Sequence, residues 1–129
     1  MAKILIVDDD KDLAESQKDI LEANGYSVEV AFSMEDGLAK AAAFIPDLVI
    51  ADLMMEHYDS GFVFGKRFRE IKGCEKTPVI MQTGASKEIG FTFDISKPGA
   101  KDWLKVDEII DKPVTPEFLV GKVRQYLAR

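Results

Sequence analysis

The sequence predicts a single α/β domain in which helices cover both faces of a parallel β-sheet. Three observations lead to this fold class. Short apolar runs recur along the chain and stretches of helical periodicity separate them, so strands and helices alternate. The runs are nearly continuous in apolar residues, which is typical of strands covered on both faces. Finally, a chain of 129 residues is long enough for one domain with a sizeable core.

The first strand and the first helix follow each other at the amino terminus. Residues 4–7 (ILIV) form a short, unbroken apolar run, which predicts a strand buried on both faces. Residues 11–24 have helical spacing, and Gly25 is a typical residue at which to end a helix. We expect the apolar side of this helix to be formed by Leu13, Ile20 and Leu21.

The next two strands flank a second helix. Residues 26–31 (YSVEVA) alternate weakly between apolar and polar side chains, which indicates a strand. Ser33 with Asp36 three residues later resembles a capping box, so a helix should begin there and run to about Phe44. Residues 47–52 (DLVIAD) read as another buried strand that ends in an acid.

The second half of the chain is expected to add two strands, one at 77–83 and one contained within 108–113. The helix before them should end near Gly73, and its apolar positions follow helical spacing at Phe64, Phe68 and Ile71. Glycine and proline interrupt residues 84–107, which predicts an irregular or broken fourth helix.

The last helix should begin at Thr115, since Thr is a good N-cap residue and Pro116 suits the first helical position. Its apolar stripe is formed by Leu119, Val123, Tyr126 and Leu127.

Composition excludes several functional classes. The net charge of −6 makes direct nucleic-acid binding by this chain unexpected. The single cysteine, Cys74, cannot form an internal disulfide and fits a reducing cytoplasm. No signal peptide or apolar run long enough to cross a membrane is visible, so we expect a cytoplasmic protein without membrane contact.

Polar residues follow the predicted strands. They are Asp8 and Asp9 after the first strand, Asp52 at the end of the third, Thr83 at the end of the fourth and Lys112 after the fifth. Because ligands of parallel sheets bind beyond the carboxyl ends of the strands, these groups should converge at one edge. Oxygen ligands of this charge suit a hard divalent cation such as Mg²⁺, which would offset the repulsion among the three acids.

Asp10 has a different interpretation. It directly precedes the first helix, where a negative side chain is favourable, so we expect it to start that helix and not to join the cation site.

Four segments carry a resemblance to a known family: "ILIVDDD", "PDLVIADLMM", "PVIMQTGA" and "DKPVTPEFL". Each segment alone is a weak signal, whereas the four in this order make a strong one. The sequence resembles the receiver domain of bacterial two-component response regulators over essentially the whole chain, residues 1–129. The resemblance implies a flavodoxin-like, doubly wound sheet of five strands in the order 2-1-3-4-5.

The resemblance also implies a phosphorylation site. Asp52 takes the position of the phosphoryl acceptor, and its carboxylate would attack phosphorus to form an acyl phosphate. Asp8 and Asp9, together with Asp52 and the backbone carbonyl of Met54, take the positions of the ligands of Mg²⁺, with Mn²⁺ as an alternative ion.

Three further residues take the positions that contact the phosphoryl group: Thr83, Gly84 and Lys112. Thr83 is also a switch residue of the family, and the second switch position falls on Ile109, where the family prefers an aromatic residue. Because Ile109 has no hydroxyl and is stiff at χ1, we hypothesise that the signal travels mainly by backbone movement in 84–107.

The implied partners are a sensor histidine kinase or phosphotransfer protein as donor, and a downstream output protein or domain of unknown kind. A homodimer is common among relatives. The implied activity is self-catalysed phosphorylation with slow autodephosphorylation, not a metabolic reaction. Two positions affect the lifetime of the phosphoryl group in the family, and they fall on Met54 and Ala85. Neither side chain can orient a water molecule by a hydrogen bond, so we expect a comparatively long-lived phosphoryl group.

The chain departs from the family pattern at two further places. Glu56 stands where the family usually has proline, and Gly61 falls one position late, so the loop after Asp52 is longer. The stretch from Thr83 to the lysine is also long, and "GAKDWLK" at 99–105 offers Lys105 as a competing lysine. We prefer Lys112 because Pro113 and the capped last helix follow it.

Three other functional classes fit the sequence less well. A haloacid-dehalogenase-type phosphatase would need a second acid two residues after the nucleophile, where this chain has Met54. A flavodoxin-like cofactor binder would need a phosphate loop after the first strand, where this chain has three acids. The remaining alternative is a pseudo-receiver that is not phosphorylated and acts as a protein interaction module.

Overall fold

The structure is a computed structural model that describes residues 2–52, 66–83, 107–111 and 114–128. For Thr83, Ile109 and Asp111 it describes the backbone. Its five strands form one parallel sheet in the order β2-β1-β3-β4-β5, as the resemblance implied. The strands are β1 (Lys3–Val7), β2 (Ser27–Ala31), β3 (Leu48–Asp52), β4 (Val79–Thr83) and β5 (Glu108–Asp111).

The strand bounds agree with the prediction to within one or two residues. The fourth strand differs at its start, because the ladder begins at Val79 and not at residue 77. Pro78 has no N–H to donate to a neighbouring strand, although its carbonyl still accepts a hydrogen bond of 3.0 Å from the Val49 N–H.

Three helices have complete bounds: α1 (Lys11–Ala23), α2 (Met34–Phe44) and the C-terminal helix (Pro116–Leu127). Each begins at a side chain that accepts a hydrogen bond from a backbone N–H three residues later. These N-cap residues are Asp10, Ser33 and Thr115. Such caps satisfy N–H groups that have no partner within the helix. The predicted starts of all three helices are therefore confirmed.

The core has two halves because successive strand residues point to opposite faces of the sheet. On the first face, α2 and the side chains of Phe68 and Ile71 pack against one set of strand residues. On the second face, α1 and the C-terminal helix pack against the alternate set. The apolar stripe predicted for the C-terminal helix is confirmed, with Leu119, Val123 and Tyr126 buried and Leu127 partly buried.

The buried face of α1 agrees with the predicted apolar side only at Leu21. Its fully buried residues are Ala14, Gln17 and Leu21, whereas Leu13 and Ile20 are only partly buried. The helix is therefore rotated so that a small and a polar residue face the sheet. After α1, Gly25 adopts a φ of +93°, which glycine reaches without strain, and the chain turns there as expected.

The segment before β4 is helical at 66–69, and turns then lead to Gly73. The helix thus ends at Arg69, earlier than predicted, while the positive φ of 97° at Gly73 belongs to the following turn. Phe68 is buried, as its spacing predicted, and Phe64 lies outside the described residues.

The predicted irregular fourth helix in 84–107 also lies outside the described residues, apart from residue 107. In the described part of the chain, no helix combines the length and the apolar character that crossing a bilayer requires.

Candidate metal centre at the carboxyl edge of the sheet

Strands β1 and β3 bring two of the predicted acids to the same level. They are parallel neighbours in which Val7 is in register with Ala51. The next residue along the chain is an aspartate in both cases, since Asp8 directly follows β1 and Asp52 is the last residue of β3. Both acids therefore stand at the carboxyl edge. One carboxylate oxygen from each of Asp8, Asp9 and Asp52 lies within 4.8 Å of the other two. The convergence of the three acids that the sequence predicted is therefore present.

The three carboxylates differ in exposure. Asp8 is 1% exposed and Asp52 is 7% exposed, whereas Asp9 is exposed to solvent. Placing buried negative charges close together is unfavourable unless positive charge is supplied nearby.

The donor set fits a hard divalent cation. Carboxylate oxygens are the ligands that Mg²⁺ and Mn²⁺ prefer. Two opposite oxygens around Mg²⁺ are about 4.2 Å apart, given its short metal–oxygen bonds. The oxygens of the cluster lie within 4.8 Å of one another, so they need to move little to share one ion.

Backbone hydrogen bonds hold Asp8 in place. Its Oδ1 accepts a hydrogen bond of 2.9 Å from the Asp10 N–H. Its own N–H donates to the Ala31 carbonyl on β2 at 3.0 Å. The orientation of the most buried acid is thus set by the turn between β1 and α1.

The side chain of Asp10 does not belong to the cluster. Its Oδ1 accepts a hydrogen bond of 3.1 Å from the Leu13 N–H and caps α1. Asp10 thus starts the helix as predicted, and the oxygens of Asp8 and Asp9 lie in the cluster with Asp52. That this cluster binds a cation stays a prediction.

The other predicted site residues are described only in part. Thr83 is the last residue of β4, directly after Gln82, whose register partner is Asp52, so its backbone reaches the same edge. Ile109 lies inside β5, in register with Met81. The remaining predicted residues, Met54, Gly84 and Lys112, lie outside the described residues, as do Ala85 and Lys105.

Sequence reasoning missed a buried pair of amides beside the acidic cluster. Gln17 of α1 and Gln82 of β4 are 3% and 1% exposed. Each side-chain Nε2 donates to the other's Oε1 at 3.1 Å. One signal for Gln17 existed, because it lies three residues after Ala14 and four before Leu21 on one helical face.

Comparison with known proteins gives a consistent family. The family model described as the response regulator receiver domain matches residues 4–124. The chain is 37% identical over 122 residues to the transcriptional regulatory protein DltR of Streptococcus agalactiae, which covers 95% of this chain and 50% of DltR. It is 33% identical over 129 residues to the transcriptional regulatory protein CpxR of Escherichia coli, covering 100% of this chain and 50% of CpxR.

A solved structure matches the fold over nearly the full length. The chemotaxis response regulator CheY4 of Vibrio cholerae is similar with a TM-score of 0.83 and 29% sequence identity, over 98% of both chains. The chain spans about half the length of the curated relatives it matches.

Proposed function

The chain belongs to the family of response regulator receiver domains, and from that premise we propose that it is a phosphorylation switch whose acceptor is Asp52. In this proposal residues 1–129 form one receiver domain. The phosphoryl group comes from a phosphohistidine on a sensor histidine kinase or a phosphotransfer protein. The reaction requires Mg²⁺, and it takes place in the cytoplasm.

The observation that carries the proposal is the cluster of Asp8, Asp9 and Asp52, whose oxygens lie within 4.8 Å of one another at the carboxyl edge. Two of these three acids are almost fully buried. A buried group of like charges lowers the stability of the fold. Such groups are therefore found mainly at functional sites, where the function requires them. Divalent-cation binding beside a nucleophile is such a requirement.

The covalent step is a substitution at phosphorus. An oxygen of the Asp52 carboxylate attacks the phosphorus, the phosphorus–nitrogen bond to the donor imidazole breaks, and the imidazole leaves with the electron pair. Little proton chemistry is needed, so positioning and charge neutralisation account for most of the rate. A bound Mg²⁺ would supply positive charge to the phosphoryl oxygens.

The chain's own residues would divide this work. Asp8 and Asp9 would hold the ion, together with Asp52 and the backbone carbonyl of Met54. The Asp10 N–H keeps one oxygen of Asp8 fixed, so its carboxylate can present the other oxygen to the cation.

Contacts to the phosphoryl group are proposed for Thr83, Gly84 and Lys112. Thr83 would hydrogen-bond a phosphoryl oxygen, Gly84 would leave room for the group, and Lys112 would pair with it. Thr83 and Ile109 would then respond to phosphorylation as the switch positions.

The output is proposed to lie outside residues 1–129, on another segment or on another protein. Relatives carry names of two kinds, transcriptional regulatory proteins for DltR and CpxR and a chemotaxis response regulator for CheY4. A receiver placed upstream of an exchangeable output module is consistent with both kinds.

Incubation with acetyl phosphate and Mg²⁺, followed by intact-mass measurement, tests the proposal. We expect the gain of one phosphoryl group, its loss in Asp52→Asn, and its loss when a chelator removes the metal. Asp19→Asn is a matched control, because Asp19 is an exposed aspartate in the middle of α1. If the wild-type protein takes up no phosphoryl group, or if Asp52→Asn takes it up equally, the acceptor assignment is wrong and the pseudo-receiver is favoured.

A further inference from the structure

The buried amide pair of Gln17 and Gln82 has no role in the chemistry described so far. It is closed by two reciprocal hydrogen bonds of 3.1 Å between residues 65 positions apart. Gln loses more side-chain freedom on burial than an aliphatic residue does, and a buried amide must be fully hydrogen-bonded. An aliphatic pair would fill this space more simply, so the two amides call for an explanation.

The position of Gln82 links the pair to Asp52. Gln82 and Asp52 are register partners on adjacent parallel strands. The backbones of two such strands lie about 4.8 Å apart along the hydrogen-bonding direction. Alternation along β3 places Leu48 and Ile50 on the sheet face covered by α1, and Asp52 shares their parity. Gln82 points to that face as well, because it bonds to Gln17 on α1.

The same reasoning places Asp8 on the other side of Asp52. Ile4 and Ile6 of β1 belong to the α1 face, and Asp8 follows with the same parity. Asp52 therefore stands between the acid that directly follows β1 and an amide on β4, on the sheet face that α1 covers. Its neighbour on one side is negatively charged, and its neighbour on the other side is neutral and polar.

The reciprocal bonding makes Gln82 a rigid neighbour. Each amide uses one N–H and one carbonyl lone pair within the pair, and keeps one N–H and one lone pair for other contacts. In the part of the chain that the structure describes, no buried side-chain nitrogen or oxygen lacks a hydrogen-bond partner. A fixed neutral amide restricts an adjacent carboxylate without adding a charge that would compete for the cation.

We propose that Gln82, held in place by Gln17, is a positioning residue that restricts the Asp52 carboxylate to the orientation from which it attacks phosphorus. This inference rests on the proposed function of Asp52 as acceptor. It assigns Gln17 an indirect role, since it acts by fixing the Gln82 side chain. It leaves cation binding to the acids, so loss of the pair should slow phosphoryl transfer without weakening Mg²⁺ binding.

A double-mutant cycle separates positioning from stability. Gln17→Met and Gln82→Met each leave one buried amide without its partner, so each single variant should unfold at lower denaturant concentration. The double variant replaces both amides by apolar side chains of similar length and should recover most of the wild-type midpoint. Gln125→Met, at an exposed position of the C-terminal helix, is the matched control.

The decisive readout is the rate of phosphorylation by acetyl phosphate at saturating Mg²⁺. Misplacement of a reacting group by a fraction of an ångström to one ångström slows reactions by roughly 10- to 100-fold. We expect a loss in this range in the double variant, with Mg²⁺ affinity unchanged by calorimetric titration. A double variant that recovers both stability and the wild-type rate would show that the pair is only structural.

A measurement on the wild-type protein does not depend on any variant folding. Beryllofluoride, a mimic of the phosphoryl group, is added with Mg²⁺ while the side-chain amide resonances of Gln17 and Gln82 are followed by NMR. We expect both to shift more than the Gln125 resonance, and equal or absent shifts would overturn the inference. If the wild-type protein accepts neither phosphoryl nor beryllofluoride, the proposed function fails first. If the wild-type protein is phosphorylated and the double variant is phosphorylated at the same rate, only the positioning role is refuted.

Discussion

Three consecutive aspartates with identical side chains have three different environments. Asp8 is buried and accepts the Asp10 N–H, Asp9 is exposed, and Asp10 turns its carboxylate back to cap α1. The change from strand to helix within this short run separates the directions of the side chains. Residue type alone therefore indicates that an acidic site exists, and backbone geometry decides which acids belong to it.

Cys74 shows how burial alone changes the chemistry of a residue. The side chain is 0% exposed within the first core face. Burial, with a smaller effect of the neighbouring Glu75 carboxylate, raises the pKa of the Cys74 thiol above its ordinary value of 9.0. The thiol is therefore protonated at neutral pH. The reactive form of a cysteine is the thiolate, so burial keeps Cys74 in its unreactive form.

The raised pKa of Cys74 predicts a pH-dependent contribution to stability. The unfolded chain loses the thiol proton near pH 9.0, whereas the folded protein keeps it to higher pH. The contribution of Cys74 is thus complete below pH 9.0 and falls above it, by at most about 1.4 kcal/mol per pH unit. The difference in free energy of unfolding between wild type and Cys74→Ala, from urea titrations at several pH values, measures this. A difference that stays constant above pH 9.0 would contradict the prediction.

Each helix with complete bounds begins at a cap that is local in sequence, and this explains why the starts could be predicted. Asp10, Ser33 and Thr115 each bond to an N–H only three residues away. The Gln17–Gln82 pair depends on a partner 65 positions away, so no local pattern indicates it. The apolar side of α1 was predicted from Leu13, Ile20 and Leu21 alone, so Gln17 was not recognised as a buried residue.

The cap of α1 can be tested apart from the cation site. Asp10→Ala removes the acceptor for the Leu13 N–H and should lower the free energy of unfolding by about 1 kcal/mol. Asp10→Ser keeps a capping oxygen and should lose only a small part of that stability. Both variants keep the Asp10 N–H that holds Asp8, so both should accept a phosphoryl group from acetyl phosphate. Denaturant titration and intact mass measure the two properties.

A different result would change the assignment of Asp10. If Asp10→Ser were as stable as the wild-type protein but no longer accepted the phosphoryl group, the Asp10 carboxylate would belong to the reactive site. Thr115→Ser is a comparison on another helix, because it keeps the hydroxyl that caps the C-terminal helix.

At the scale of the whole molecule, the order of the strands creates the site. The chain leaves β1 for the edge strand β2 and returns to β3 on the other side of β1. This reversal places β1 beside β3, and ligands of such sheets bind where the order reverses. The alternation of strands and helices predicted a common edge, while the adjacency of β1 and β3 came from the family resemblance. Thr83 and Asp52 could be placed at that edge, whereas the roles of Met54, Gly84 and Lys112 stay predictions.

Because the acidic cluster joins two central strands, cation binding should stabilise the whole fold. A ligand that binds only the folded state adds about 1.4 kcal/mol at ten times its dissociation constant and about 2.7 kcal/mol at one hundred times. We expect Mg²⁺ to raise the wild-type free energy of unfolding in this way, and to raise that of Asp9→Asn much less.

Without divalent cation, Asp9→Asn should lose little stability, since it removes one of three like charges that lie within 4.8 Å of one another. Urea titrations at constant ionic strength measure both effects, with Asp19→Asn as the control that keeps the cluster intact. An equal effect of Mg²⁺ on all three proteins would mean that the ion acts elsewhere, by screening or at other carboxylates.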